Sequence, residues 1–306
     1  MRPYTLKPCR EIAPGDGSDV GCSLAERYST LIQELPLVGA DGMVPHAETF
    51  GLSMIESIRA EAPWFGPALD IIARQLVLSL WAGRPWLTWR PLCMVGPPGI
   101  GKTHLARLLA TRGGSVSMTL DVGGTADART LEGTARGWRS AQPCWPALAV
   151  AQAGIANPVL LIDELDKVDP REGAGMVEGV LLAMFERSTA AKYYDRALLA
   201  EVDLSAVCWL IAVNDISAVS EPLRSRMDIV RLEGPAPAHF DLVLVSVLRD
   251  VASGLGIDAN QLPELPPSVV EMVRRAFATR RSVRNLRRHI ESILSMLAVS
   301  CPGTVQ

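Results

Sequence analysis

The sequence, 306 residues long, contains no apolar run that approaches the roughly 18 residues needed to span a bilayer. Its first eight residues also lack an apolar stretch of signal-peptide length. Positive charge is not in excess, because 30 lysines and arginines are set against 33 acidic residues and the formal net charge is −3. We therefore expect no membrane partner and no field that would draw the whole chain to nucleic acid.

Cysteine and histidine are too few and too scattered to predict a zinc site. The six cysteines are at positions 9, 22, 93, 144, 208 and 301, no two of them at metal-ligand spacing, and the chain has only four histidines. Cys93 and Cys208 lie inside apolar runs, which indicates buried thiols. This cysteine usage favours a reducing, cytoplasmic location.

The pattern of apolar residues indicates an α/β fold. Hydrophobic residues make up 48% and charged residues 21%, which is typical of a globular protein and excludes a mainly disordered one. Continuous apolar runs at 92–95, 159–162 and 209–213 are typical of strands buried on both faces of a parallel sheet. Residues 116–122 alternate like a half-exposed strand, and helical segments are predicted near 69–80, 145–156 and 174–187.

The pattern changes after the segment Gly234-Pro235-Ala236-Pro237. Beyond it, apolar residues recur only with helical spacing, and Ser282 is the expected N-cap of the last helix. We therefore predict three parts: a partly irregular N-terminal extension over 1–60, a large α/β domain over 61–234 and a small all-helical domain over 235–306.

A phosphate-binding loop follows the first buried run. Residues 96–103 fit the P-loop pattern at every fixed position, after a strand and at the start of a helix, so a chance turn is the weaker interpretation. In such a loop Lys102 reaches the β- and γ-phosphates, and Thr103 offers its hydroxyl to Mg²⁺. The predicted nucleotide-binding residues are Gly96, Pro97, Pro98, Gly99, Ile100, Gly101, Lys102, Thr103 and His104.

Polar residues end two other apolar runs. Asp163 and Glu164 follow residues 159–162, and Asn214 follows residues 209–213. Ligands bind at the carboxyl ends of the strands in sheets of this kind. We expect Asp163 to hold Mg²⁺ and Glu164 to act as general base, and Asn214 could orient the attacking water or touch the γ-phosphate.

These motifs, in this order, resemble those of the AAA+ superfamily of ring ATPases, and in particular the ATPase module of Lon proteases. The resemblance covers roughly residues 64–298. Its segments are Gly96-Pro97-Pro98-Gly99-Ile100-Gly101-Lys102-Thr103, Leu161-Ile162-Asp163-Glu164-Leu165-Asp166-Lys167, Glu221-Pro222-Leu223-Arg224-Ser225-Arg226-Met227-Asp228 and Ser282-Val283-Arg284-Asn285-Leu286. It implies a P-loop NTPase fold with a parallel five-stranded sheet, and a lid formed by the helical domain.

The resemblance also implies that the chain binds ATP and Mg²⁺, that it forms a homo-oligomeric ring, expected to be a hexamer, and that two arginines take part in the site. Arg226 stands where the family carries an arginine finger, which reaches the nucleotide of a neighbouring subunit, and Arg224 is the second choice. Arg284 would contact the nucleotide from the lid. The alternative for Arg226 is a solvated arginine at a helix end.

Trp138 lies where the resemblance implies a pore loop. In related unfoldases an aromatic ring at this place grips an extended chain through apolar contact. Tryptophan replaces the usual tyrosine or phenylalanine, and Arg139 stands where an aliphatic residue is common. The alternative is a tryptophan packed at a subunit interface.

The function that we predict is an ATP-hydrolysing ring motor that remodels or unfolds proteins. Only about 20 residues follow Arg284, so we expect no peptidase domain of the kind that Lon proteases carry. One alternative is a nucleic-acid-associated ATPase, a loader or transposition helper, supported by the arginines at 274–288 but opposed by the acidic balance. Another is a nucleotide-gated switch with low turnover.

Overall fold

The computed structural model describes residues 4–13, 24–39, 52–123, 128–168 and 174–300. Its strands are β1 (Thr5–Leu6), β2 (Leu35–Pro36), β3 (Leu92–Val95), β4 (Ser117–Asp121), β5 (Val159–Asp163), β6 (Tyr193–Asp195), β7 (Ala200–Val202), β8 (Cys208–Val213) and β9 (Asp228–Arg231). Its helices are α1 (Ser53–Glu61), α2 (Gly66–Trp81), α3 (Lys102–Arg112), α4 (Arg129–Glu132), α5 (Trp145–Ala153), α6 (Ala174–Phe185), α7 (Arg187–Ala190), α8 (Glu221–Arg224), α9 (Phe240–Leu255), α10 (Pro267–Arg280) and α11 (Val283–Ser300).

A parallel five-stranded sheet in the order β4-β5-β8-β3-β9 forms the centre of the α/β region. The three continuous apolar runs are the three inner strands, and their apolar residues are buried on both faces. The alternating segment forms β4 at one edge of the sheet, where half-exposure is expected. The predicted fold, a P-loop NTPase sheet flanked by helices with a helical C-terminal region, is confirmed.

Two apolar clusters cover the two faces of the sheet. Leu92 and Met94 point into a cluster shared with α1, α2, α3 and the C-terminal helices. Cys93 and Val95, which alternate with them, point into the other cluster, with α5 and α6. Helices cover both faces of the sheet, so a ligand reaches it at the ends of the strands. The carboxyl-terminal ends of the strands carry the candidate site.

Three helices, α9 to α11, make up the C-terminal region. Phe240, Leu286 and Ile290 are buried in the cluster that extends to the sheet, and Phe240 packs 5.7 Å from Phe277 between ring centroids. The N–H of Asn285 donates to Ser282 Oγ over 3.3 Å, so Ser282 caps the last helix as predicted. No helix within the described ranges is both long and apolar enough to cross a membrane.

The described parts of the N-terminal extension pack against the α/β region. Cys9, Ile12, Leu31 and Leu35 are buried in the cluster on the α5 and α6 side. A helical turn over 24–27 and the β1–β2 pair lie in these segments. The sequence predicts a loosely structured extension because residues 1–45 are rich in glycine and proline and show no sustained period. The limits at 60 and 234 remain a prediction for the domain division.

A hairpin that the sequence did not indicate, β6–β7, precedes β8. Cys9 forms an antiparallel bridge with Val202, and the N–H of Asp203 donates to Pro8 O over 2.6 Å. The N-terminal segment therefore lies along the outer edge of this hairpin.

Candidate nucleotide-binding site

The loop between β3 and α3 turns sharply because its glycines adopt backbone conformations that other residues rarely adopt. Gly99 has φ +83° and Gly101 has φ +100°. At Gly96 the backbone passes so close to β9 that an added Cβ would lie 2.5 Å from Leu232 O. The loop therefore presents backbone N–H groups and the N-terminus of α3 to one space, which is the arrangement that binds phosphate.

Lys102 is buried beneath this loop. Its Nζ donates to Gly96 O over 2.5 Å, to Val213 O over 3.3 Å and to Asn214 Oδ1 over 3.2 Å. Burial lowers the pKa of Lys102, and the nearby carboxylates of Asp163 and Asp166 oppose that shift. The ammonium thus lies between the ends of β3 and β8, next to the phosphate-binding loop.

The acidic pair lies at the end of β5. Asp163 Oδ1 accepts the N–H of Glu164 over 2.9 Å, and burial raises the pKa of Asp163, against that hydrogen bond and the charge of Lys102. Glu164 adopts a left-handed conformation, φ +58°, and its carboxylate pairs with Lys167. A left-handed backbone conformation is costly for glutamate. It sets the direction of the Glu164 side chain just beyond the end of β5.

Asp166 joins the ends of β5 and β8. Its Oδ2 accepts the N–H of Asn214 over 3.0 Å and that of Asp215 over 3.1 Å, while its buried Oδ1 has no partner in the described part of the chain. The sequence analysis gave Asp166 no role. Its position three residues after Asp163, within a matched motif, was the available signal.

The C-terminal helices close over the loop. The N–H of Val283 donates to Gly99 O over 2.9 Å, and an added Cβ on Gly99 would lie 2.9 Å from Ser282 Oγ. Farther along, His104 Nε2 lies 3.3 Å from Ser246 Oγ and Arg107 pairs with Asp250 over 2.6 Å. His104, which lies on α3, thus contacts α9, and burial lowers its pKa.

These elements enclose a cleft of about 390 Å³. Its lining includes the predicted site residues Pro98, Gly99, Gly101, Lys102, Thr103, His104, Asp163, Glu164, Asn214 and Arg284. The hydroxyl of Thr103 and the carboxylate of Asp163 are the oxygen ligands that Mg²⁺ prefers, and Lys102 and Arg284 supply positive charge for phosphates. The residues present therefore fit a magnesium nucleotide. Ile100 is buried behind the loop.

Arg226 and Arg224 do not line this cleft. Arg226 precedes β9, whose first residue, Asp228, pairs with Leu92 at the start of β3, whereas the phosphate-binding loop follows the end of β3. Arg226 Nε lies 3.5 Å from Glu186 Oε2 without forming a hydrogen bond within the described chain. Both arginines therefore lie near the amino-terminal ends of the strands, whereas the nucleotide site of their own chain lies at the carboxyl-terminal ends.

Trp138 lies at the tip of a loop between α4 and α5 and is 68% exposed. The base of the loop is closed by a pair of hydrogen bonds between Thr134 and Gln142, of 2.8 and 3.1 Å. Gly137, with φ +103°, makes the turn before the tryptophan. Both a residue that grips substrate and a residue at a subunit interface would be exposed in a single chain, so exposure agrees with either role.

Comparison with known proteins shows what the region that carries this site is similar to. Residues 92–234 match the model of the ATPase family associated with various cellular activities, AAA. The Lon protease of Campylobacter jejuni is 30% identical over 203 residues, which are 66% of this chain and 25% of the relative. The mitochondrial Lon protease homolog of Caenorhabditis briggsae is 32% identical over 214 residues, 68% of this chain and 22% of the relative.

The chain spans about a quarter or less of the length of these curated relatives. A solved structure of a Thermotoga maritima RuvB mutant aligns with 76% of this chain and 64% of its own, at 21% identity and a TM-score of 0.44.

Proposed function

We propose that this chain, which carries an AAA-family ATPase domain related to the ATPase module of Lon proteases, hydrolyses ATP with Mg²⁺ in a homo-oligomeric ring and uses that cycle to remodel proteins. The observation that carries the proposal is the cleft, which gathers Lys102, Asp163, Glu164, Asn214 and Arg284 from the sheet and the lid. Each of them has a part in phosphoryl transfer to water.

In the proposed reaction Lys102 exchanges its backbone carbonyl acceptors for the β- and γ-phosphates of ATP. Mg²⁺, held through Thr103 and Asp163, would neutralise phosphate charge. Glu164 leaves Lys167 and takes a proton from the attacking water, which Asn214 orients. Arg284 contacts the phosphates from the lid. It directly follows Val283, whose N–H donates to Gly99 O in the phosphate-binding loop.

Assembly follows from the position of Arg226. Arg226 lies near the amino-terminal ends of the strands, and the cleft of its own chain lies at their carboxyl-terminal ends. Its guanidinium can therefore contact only a nucleotide that a neighbouring chain binds. We therefore propose that Arg226 completes the site of the next subunit in a ring, for which the resemblance to Lon ATPase modules implies six subunits. Arg224 remains the second choice for this role.

Protein is the proposed substrate because an exposed aromatic ring, Trp138, is presented on a closed loop. Three of the seven arginines at 274–288 pair with carboxylates: Arg274 with Asp241, Arg275 with Glu271 and Arg287 with Glu291. These carboxylates reduce the net positive charge that this face can offer to a phosphate backbone. This pairing weighs against the nucleic-acid alternative.

Phosphate release and nucleotide binding by three proteins test the chemistry. Lys102→Ala should lose nucleotide binding, because the charge that compensates the phosphates is gone. Glu164→Gln should bind ATP like wild type and lose hydrolysis by about 10²-fold or more, because only the base is removed. Hydrolysis by Glu164→Gln at the wild-type rate would refute the assignment.

Stimulation of the ATPase tests the substrate class. Unfolded casein should raise the rate of wild type, and single-stranded DNA at equal mass should not. Stimulation by DNA alone would favour the nucleic-acid alternative, and a rate near zero at high protein concentration would favour the switch.

A further inference from the structure

Arg136 joins three separate segments of the chain outside the nucleotide cleft. Its Nε donates to Ala197 O over 2.8 Å and its Nη2 to Leu198 O over 3.0 Å, both at the tip of the β6–β7 hairpin. Its Nη1 donates to Ala13 O over 2.8 Å, in the N-terminal segment. Its backbone N–H donates to Arg196 O over 3.0 Å. The planar guanidinium, with donors in several fixed directions, suits a junction of backbone carbonyls.

Asp195 holds the other side of this junction. It is 1% exposed, and its Oδ1 accepts the N–H groups of Ala197 and Leu198, both over 2.9 Å. Its Oδ2 accepts the N–H of Cys144 over 2.7 Å, at the start of α5. The same two residues of the hairpin tip, Ala197 and Leu198, are thus bound by Asp195 through their N–H groups and by Arg136 through their carbonyls.

The loop that carries Trp138 is therefore bound to the hairpin on both sides of the tryptophan. Arg136 lies two residues before Trp138, and Cys144 lies six residues after it. Gly133, with φ +82°, lets the two ends of the loop approach, since an added Cβ there would lie 2.3 Å from Gln142 O. The N-terminal segment joins the same unit, because Ala13 also donates its N–H to Leu198 O over 3.2 Å.

We propose that Arg136 is a positioning residue that fixes the Trp138 loop, the β6–β7 hairpin and the N-terminal segment as one unit, so that Trp138 meets an extended protein substrate from a preset position. The inference rests on the proposed function for the contact between Trp138 and substrate. A loop that is already ordered loses less conformational entropy when it binds, and affinity is higher for that reason. Without Arg136 the substrate affinity should fall while turnover at saturation persists.

The experiment measures stimulation of the ATPase by unfolded casein, relative to the basal rate of each protein. Arg136→Met should raise the half-saturating casein concentration about tenfold with the maximal stimulation within about twofold of wild type. Arg136→Lys should be almost as impaired, because one ammonium cannot replace a fork that spans three carbonyls. Arg196→Met is the matched control: its exposed side chain pairs with Glu132 at the same junction, and its half-saturation should stay at the wild-type value.

Hydrogen exchange provides a readout that needs no substrate. In Arg136→Met, amide exchange should speed up together in peptides covering 134–142, 195–200 and 8–13, and it should not in Arg196→Met. If Arg136→Met fails to fold, Arg136→Lys serves for both measurements.

The outcomes separate this inference from the proposed function. If Trp138→Ala raises the half-saturating concentration and the Arg136 variants do not, the positioning role is overturned and the function stands. If casein does not stimulate wild type, the proposed function fails, and exchange alone decides: a joint rise in the three segments supports the unit, and a rise confined to 134–142 overturns it.

Discussion

Replacing Gly99 with alanine should separate the lid from the phosphate-binding loop. Gly99 has φ +83°, and an added Cβ would lie 2.9 Å from Ser282 Oγ and 3.3 Å from Arg284 Cβ. The lid or the loop must therefore shift, and the hydrogen bond from Val283 N–H to Gly99 O cannot keep its 2.9 Å length. Because Arg284 follows Val283, the shift also moves the proposed phosphate contact.

The magnitude can be worked out against a matched glycine. Gly154 has φ +65° and nothing within 4 Å of an added Cβ. Gly154→Ala should lower the free energy of unfolding by about 1–2 kcal/mol, through left-handed strain alone. Gly99→Ala should carry the same strain plus the lost backbone hydrogen bond, about 2–3 kcal/mol in total. Weakening one charged hydrogen bond to phosphate should further reduce ATP affinity by about tenfold.

Chemical denaturation of both variants gives the free energies of unfolding, and titration with a fluorescent ATP analogue gives the dissociation constants. Gly154→Ala should bind the analogue like wild type, because its helix end lies outside the cleft. Equal destabilisation of the two variants, together with unchanged nucleotide affinity in Gly99→Ala, would refute the reasoning that the lid bears on the loop at this residue.

Other substitutions test other parts of the molecule. Asp195→Asn should lower the free energy of unfolding by about 3 kcal/mol in chemical denaturation, because its amide group would face a buried N–H, whereas Asp203→Asn should cost little since one oxygen accepts both donors there. Arg226→Ala should bind ATP but hydrolyse it slowly, and mixing it with Lys102→Ala should restore part of the rate; no rescue between particles that light scattering shows to be intact would contradict a trans role. Burial raises the pKa of Cys93 to about 12, so iodoacetamide at pH 8 should alkylate it about 10³-fold more slowly in the native than in the unfolded protein, and comparable rates by peptide mass spectrometry would contradict that burial.

The sequence could predict those parts of the fold and site that short segments specify. Residues 92–95 and 159–162 are apolar without interruption, which is typical of strands covered on both faces. Because the strands are parallel, the polar residues that follow them lie together at the carboxyl-terminal ends of the sheet. The cleft can therefore be predicted from the residues that end each run. The roles of Lys102, Glu164 and Asn214 stay predictions, since their placement agrees with those roles without testing turnover.

The rest depends on contacts between distant segments. Strands β6 and β7 are three residues each, too short for a readable alternation, and their turn contains no glycine: Leu199 takes the left-handed conformation at φ +51°. Arg136 binds carbonyls 61 and 123 positions away in the chain. The sequence around Arg136 does not identify those partners, because every residue type carries the same backbone carbonyl.

The proposed trans role of Arg226 also restricts the symmetry of the assembly. The cleft lies at the carboxyl-terminal ends of β3 and β8, and Arg226 lies at the opposite ends, before β9. A strand of four residues separates the two edges by about 13 Å, before the loops at either end are counted. A two-fold dimer would have to bury both edges in one self-complementary interface to complete both of its sites. An interface between unlike edges avoids that requirement, and repeated around an axis it closes into a ring in which every chain both gives and receives an arginine.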